Sequence, residues 1–397
     1  MTLEERRRRR VASSHRIAVS AFRLAGVFGL IAGGWSVWVL IGGGTWWGPI
    51  HAFLLGTVSL AIAGASQMFT ITWSAAPAPR AWIPATQRWS HAVGAAAVLL
   101  GMAVGSTGAV VLGGVAVLMG MSLLAFGLIG AVRHSLLRRF DLSLRFYLLG
   151  IACAVVGVTL GVVMGADLGA DHYFRLRVVH GHLNLVGFVG FVIVGTLPTI
   201  LPTFAHHRAV SGREAVIAWR LALVAAVTIT SGLALGDTAV AVGTFLAVGA
   251  LVAVVVGVVV RLGRTGAGGG LPYLQVVVGC AWLAAWAVID GVRLLTGSIP
   301  PTFDRWIAAA ILAGVGQILL GSLAYLLPVL AGPARLGRNF ERFDSRRWLP
   351  LALANGAAVG IVVGAPAIAI AGFALWLADF SRRLVSLERG TGASASP

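Results

Sequence analysis

His182-Leu-Asn-Leu-Val-Gly187, followed by Gly195, repeats the spacing of His51-Ala-Phe-Leu-Leu-Gly56, followed by Gly64, about 130 positions earlier in the chain. A third stretch echoes the end of this pattern: Gly321-Ser-Leu-Ala-Tyr-Leu-Leu-Pro328 resembles Gly195-Thr-Leu-Pro-Thr-Ile-Leu-Pro202, with no histidine at its start. Phe22-Arg-Leu24, Phe146-Tyr-Leu148 and Pro272-Tyr-Leu274 open apolar runs at matching places. The reading is three pseudo-repeats, about 17–133, 141–262 and 272–387, each with room for four helices. Four crossings return a chain to its starting side, so such repeats share one orientation about an axis along the membrane normal.

Composition sets the medium. The chain has 397 residues, of which 58% are hydrophobic and 11% charged, against roughly 25% charged in an average soluble domain. Its mean hydropathy is +0.92. That excludes a soluble globular protein, and it excludes disorder, because so apolar a chain must bury its surface. At about 20 residues per crossing the length holds on the order of a dozen helices. The expected fold is therefore an all-α integral membrane domain of about twelve transmembrane helices. The spans read from the sequence are 17–41, 46–73, 89–106, 108–132, 142–165, 178–203, 214–235, 238–260, 272–296, 305–331, 348–364 and 366–387.

The formal charge of +17 comes from 30 basic residues, all arginine, against 13 acidic ones. The arginines fall in every second connection: Arg6 through Arg10 with Arg16, Arg80 and Arg88, Arg133 to Arg145, Arg208 and Arg213, Arg261 and Arg264, Arg335 through Arg347, and Arg382, Arg383 and Arg389. The intervening connections hold Asp167, Asp171, Asp237 and Asp304. This is the positive-inside distribution, so the basicity points to a lipid bilayer and not to nucleic acid. It predicts a multi-pass protein of a bacterial plasma membrane with both termini cytoplasmic, a basic tail at 1–16 and a flexible tail at 388–397. The basic N-terminus has no small-residue cleavage site after a short apolar run, so the first helix is read as uncleaved. Cys153 and Cys280 lie far apart in apolar runs, which argues against a disulfide framework or a thiolate metal site.

The topology sorts the nine histidines. His15, His91, His134, His206 and His207 fall near the arginine-rich side and read as interfacial. His51, His180 and His182 fall at the opposite ends of the second and sixth spans, where imidazole is expensive to bury without a partner. Neutral imidazole nitrogen suits haem iron or copper. Residues two apart on a helix point about 200° away from each other. His180 and His182 therefore serve two different neighbours, and the repeat pairs His182 with His51 across one site, with His180 facing a second. Secondary candidates are His172 in the outer loop, Asn184 as a helix–helix hydrogen bond, and Asp290, an acid inside an apolar span with Arg293 three residues on.

A histidine near the outer end of the second helix and a His-x-His on a later one, in three four-helix repeats, resemble the catalytic subunit of haem-copper oxidases and the related haem- and copper-containing membrane proteins of nitric oxide metabolism. Val179-His-Gly-His-Leu-Asn-Leu-Val-Gly187 and Gly316-Gln-Ile-Leu-Leu-Gly321 resemble more closely the membrane region of bacterial copper oxidases, in which a similar part can precede a cupredoxin-type nitrite reductase domain. The resemblance implies a haem-copper-oxidase-like arrangement holding haem b or copper, with His51, His180 and His182 as ligands. It implies electron transfer, or metal or nitric oxide handling, beside an extracytoplasmic copper or redox partner. The chain departs from the pattern in having no histidine after His207. A complete haem-copper oxygen-reducing centre cannot be built from it, so independent oxidase activity is not expected. A secondary transporter and a metal-free scaffold are the alternatives from other classes.

Overall fold

The computed structural model describes residues 2–133, 140–207, 212–266, 269–300, 304–332 and 336–392. His134 lies outside them. Among the described residues the protein is all helix, with no strand. The helices are α1 (Leu3–Leu40), α2 (Trp47–Trp73), α3 (Trp82–Val104), α4 (Thr107–Arg133), α5 (Asp141–Gly165), α6 (Ala170–Phe204), α7 (Arg213–Leu235), α8 (Asp237–Gly263), α9 (Leu271–Thr296), α10 (Arg305–Leu330), a short α11 (Leu336–Asp344), α12 (Trp348–Val363) and α13 (Pro366–Gly392). Among the described residues nine helices are long and apolar enough to cross a membrane. The helices α3, α12 and α13 stand at the expected places without being among them.

Both expected tails are helical where they are described. A capping box between Thr2 and Glu5 starts α1 at Leu3, so the arginine cluster continues the first helix. The last helix runs on to Gly392.

Three helices occupy the centre. In α2, α6 and α10 the most apolar 18 residues are 72%, 89% and 61% buried, against 28% to 44% in the other apolar spans. Each of the three is interrupted by a π-helical segment, at Ala52–Val58, Leu183–Gly190 and Ile311–Gly316. The packing around these segments recurs. The preceding helix (α1, α5, α9) and a following one (α3, α7, α12) both lie against the π segment, and the outer pairs α3–α4, α7–α8 and α12–α13 pack together. Contacts α4–α5, α8–α9 and α13–α1 close the ring.

A wide π turn disturbs the regular backbone ladder, and in a bilayer each freed carbonyl needs a donor. The chain supplies buried polar side chains at these places. His91 Nε2 donates to the Leu55 carbonyl at 2.9 Å and lies 2.7 Å from Ser59 Oγ. Gln317 Nε2 donates to Ala313 at 2.7 Å, and Asn184 Nδ2 donates to His180 at 2.8 Å. His91, expected at the interface, is 1% exposed. Its place was hidden because its partner is a carbonyl on another helix. The Ser59 hydroxyl also donates to that carbonyl, so His91→Ala is expected to cost about 1 to 3 kcal/mol through the lost imidazole contacts and the space left behind, not through an orphaned carbonyl. The measurement is the midpoint of thermal unfolding in detergent, and an unchanged midpoint would refute it.

Candidate functional site

The ends of α2, α5, α6, α9 and α10 that lie away from the arginine-rich connections line a cavity of about 800 Å³, within the roughly 300 to 1,000 Å³ usual for small-molecule and cofactor sites. His51, His180, His182, Asn184, Trp286 and Asp290 line it, and Arg177, Arg293 and Arg305 stand among its charged residues.

His51 is held from its own helix. Its Nδ1 lies 2.8 Å from the Trp47 carbonyl, and the Trp47 ring stacks on it at 4.2 Å between centroids. His180 is held by α5, with Nδ1 2.7 Å from the Gly157 carbonyl. A nitrogen this close to a carbonyl oxygen carries the proton, so in the neutral ring Nε2 holds the lone pair. The two rings face each other, 6.2 Å apart between centroids and 14° from parallel.

Room for this comes from glycine. A Cβ on Gly161 would stand 2.8 Å from His180 Cε1, and one on Gly157 would run into Asn184. Gly157-Val-Thr-Leu-Gly161 is a G-x-x-x-G pattern, a signal of close helix approach that the histidine-centred reading passed over.

His182 looks the other way. Its Nδ1 contacts the Val178 carbonyl at 2.8 Å, and its Nε2 lies 2.9 Å from Asp290 Oδ2, within ion-pair reach although not aligned as a hydrogen bond. The Trp286 ring lies 6.3 Å away. His182 Nε2 is set toward Asp290 and not toward His51. The pairing read from the repeat is thus exchanged: His180, not His182, faces His51. Asp290 does not pair with Arg293, whose Nη1 donates instead to Asp304 at 2.6 Å. Asp304 also caps α10 by accepting from the Ile307 backbone N–H at 3.0 Å. Asn184, expected to bond to another helix, instead donates from Nδ2 to the His180 backbone carbonyl of its own helix at 2.8 Å. His172 is exposed in the outer turn and does not line the cavity.

Among the described residues no group of three or more His, Cys, Asp or Glu converges as a metal site. That weighs on the choice of cofactor. Two imidazoles suffice for a linear Cu(I) ion, and they also suffice for haem iron, to which the porphyrin would supply the remaining four ligands. Metal–imidazole bonds of about 2.0 to 2.1 Å place two rings on opposite sides of one ion with centroids roughly 6 Å apart. The His51 and His180 centroids are separated by about that distance, and because the rings are stacked they would have to turn their Nε2 edges toward a common ion to hold it. Arg177 Nη2 is tied to the Pro300 carbonyl at 2.7 Å, which fixes one guanidinium beside the cavity. No known protein-family model and no curated protein matches this chain.

Proposed function

We propose that this chain is a membrane haem protein that carries electrons near the outer face of the bilayer, with His51 and His180 as the residues that would hold a haem b. The observation that carries the reading is the pair of parallel imidazoles 6.2 Å apart, each held at Nδ1 by a backbone carbonyl. Ligating histidines ordinarily have their second ring nitrogen fixed in this way. The volume of the largely apolar cavity is of the size a macrocycle needs, and the arginines beside it suit anionic substituents. Bound haem supplies one-electron redox chemistry; the protein orients the ligands, excludes water and fixes the ring tautomers.

We read the helices as twelve crossings in three sets of four, in an arrangement similar to that of haem-copper oxidases. The recurring contacts around the three π segments support this, and so does the alternation of arginine-rich connections. That alternation supports cytoplasmic termini. An extracytoplasmic redox partner, and service to copper or nitric oxide chemistry, rest on the resemblance alone.

The test is a pyridine haemochrome assay with iron and copper analysis, on detergent-purified protein expressed with haem precursor and copper supplied. Stoichiometric haem b without copper is expected. Copper without iron would refute the haem assignment, and folded protein free of both would move the reading to a transporter or scaffold. Gly161→Val, which crowds His180, is expected to weaken haem retention by roughly 10- to 100-fold, as loss of an outer-shell support does. Gly181→Ala, whose Cβ meets nothing within 4 Å, is expected to leave retention unchanged. Equal retention in both variants would count against His180 as a ligand.

A further inference from the structure

Arg145 and Arg220 are both exposed, on helices α5 and α7, which touch each other. The contact includes the rings of Phe146 and Trp219, the next residues in each case, edge to face at 5.3 Å. Both helices begin at arginine-rich connections and run in the same direction. One residue is a step of about 100°, so the residue before Phe146 and the residue after Trp219 turn to the same side of that contact. Two guanidiniums are thereby set at one level beside one groove. Neither has a hydrogen-bond or ion-pair partner among the described residues. Asp141, one turn below Arg145, makes no ion pair with it, and Glu214 is engaged by Arg261.

Above the two arginines the same faces are apolar. Val156 on α5 is exposed in line with Arg145, and Leu223, Val224 and Val227 on α7 are exposed in line with Arg220. From Arg145 to the end of α5 at Gly165 is roughly 30 Å at 1.5 Å per residue, about one hydrocarbon thickness. From Arg220 to the end of α7 at Leu235 is roughly 22 Å, so that side chain has to extend toward the headgroups to keep its charge out of hydrocarbon.

We propose that Arg145 and Arg220 clamp the phosphate of an anionic glycerophospholipid in the leaflet on the arginine-rich side, with its acyl chain along the apolar faces above. Two like charges brought together with no carboxylate between them call for an anion, and guanidinium binds phosphate in bidentate fashion. An anionic lipid is favoured over a zwitterionic one because the two guanidiniums outnumber the single nearby unpaired acid, Asp141.

The experiment is native mass spectrometry of the full chain in detergent, titrated with dioleoylphosphatidylglycerol or dioleoylphosphatidylcholine. Wild type is expected to bind the phosphatidylglycerol more tightly, by about tenfold. Arg145→Gln/Arg220→Gln is expected to erase that preference, while the charge-matched control Arg7→Gln/Arg80→Gln keeps it. Each single variant, checked for folding by size exclusion, should show a partial loss if the double variant does not fold. Equal loss in the control would show diffuse attraction only and overturn the clamp. Unchanged lipid binding with a changed oligomeric state would overturn it too, by assigning the pair to a second copy of the chain.

Discussion

His180→Ala is expected to lose the absorbance of the proposed haem, and so is His51→Ala, while His182→Ala is expected to keep it. This is the largest effect expected, because removing an axial ligand takes away more than the roughly 10- to 100-fold that an outer-shell partner contributes. The contrast with His182 makes the result decisive. His180 and His182 are two residues apart on one helix, and a general effect of disturbing that helix would strike both. The geometry separates them: His180 faces His51, whereas His182 faces Asp290. His182→Ala is expected instead to lower stability, since it leaves the Asp290 carboxylate beside the cavity without its partner. The readouts are the haem spectrum and the thermal midpoint of the same samples. Haem lost from His182→Ala and retained in His180→Ala would overturn the ligand assignment and restore the pairing read from the repeat.

Arg383→Ala is expected to destabilise the protein by about 3 to 5 kcal/mol, the range for breaking a buried ion pair from one side. Arg383 is 2% exposed on α13. Its Nε donates to Asp379 Oδ2 at 2.6 Å, Nη2 to the Ser345 carbonyl at 2.8 Å, and Nη1 to the carbonyls of Arg342 and Phe343. This guanidinium therefore gathers the C-terminal end of α11 and shares a buried acid with Arg382, whose Nη2 donates to Asp379 Oδ1 at 2.9 Å. Arg383→Lys is expected to rescue little, because an ammonium presents no planar fork to so many acceptors. Thermal unfolding of Arg383→Ala, Asp379→Asn and the double variant gives the coupling. If the single variants lose no more stability than an exposed arginine does, the network has no structural weight.

The positions of the helices were legible in the sequence because hydropathy is summed over some 20 residues and tolerates local irregularity. Every span read from the sequence coincides with a helix. The set of histidines was legible too, since imidazole at the end of an apolar run stands out. Their pairing was not. The roughly 200° between His180 and His182 showed that they serve different neighbours, but which neighbour each meets is settled by Gly157 on α5 and Asp290 on α9, far away in sequence. The charge pattern near Asp290 invited a local pair with Arg293, yet Asp304 in the following connection was the better partner. His91 shows the same limit, because nothing local announces that its target is a carbonyl freed by a π turn in α2.

Those π turns make each central helix two helices out of phase. Inserting one residue into a helix turns everything beyond it by about 100° and advances it 1.5 Å. The half of α6 that bears His180 is thus set by contact with α5, while the half that bears Pro198 and Pro202 answers to a different azimuth. Deleting a single residue within Leu183–Gly190 is equivalent to winding the helix back into one phase. The two ends could not then both keep their present neighbours, so the chain tolerates substitution in that segment far better than a change in its length.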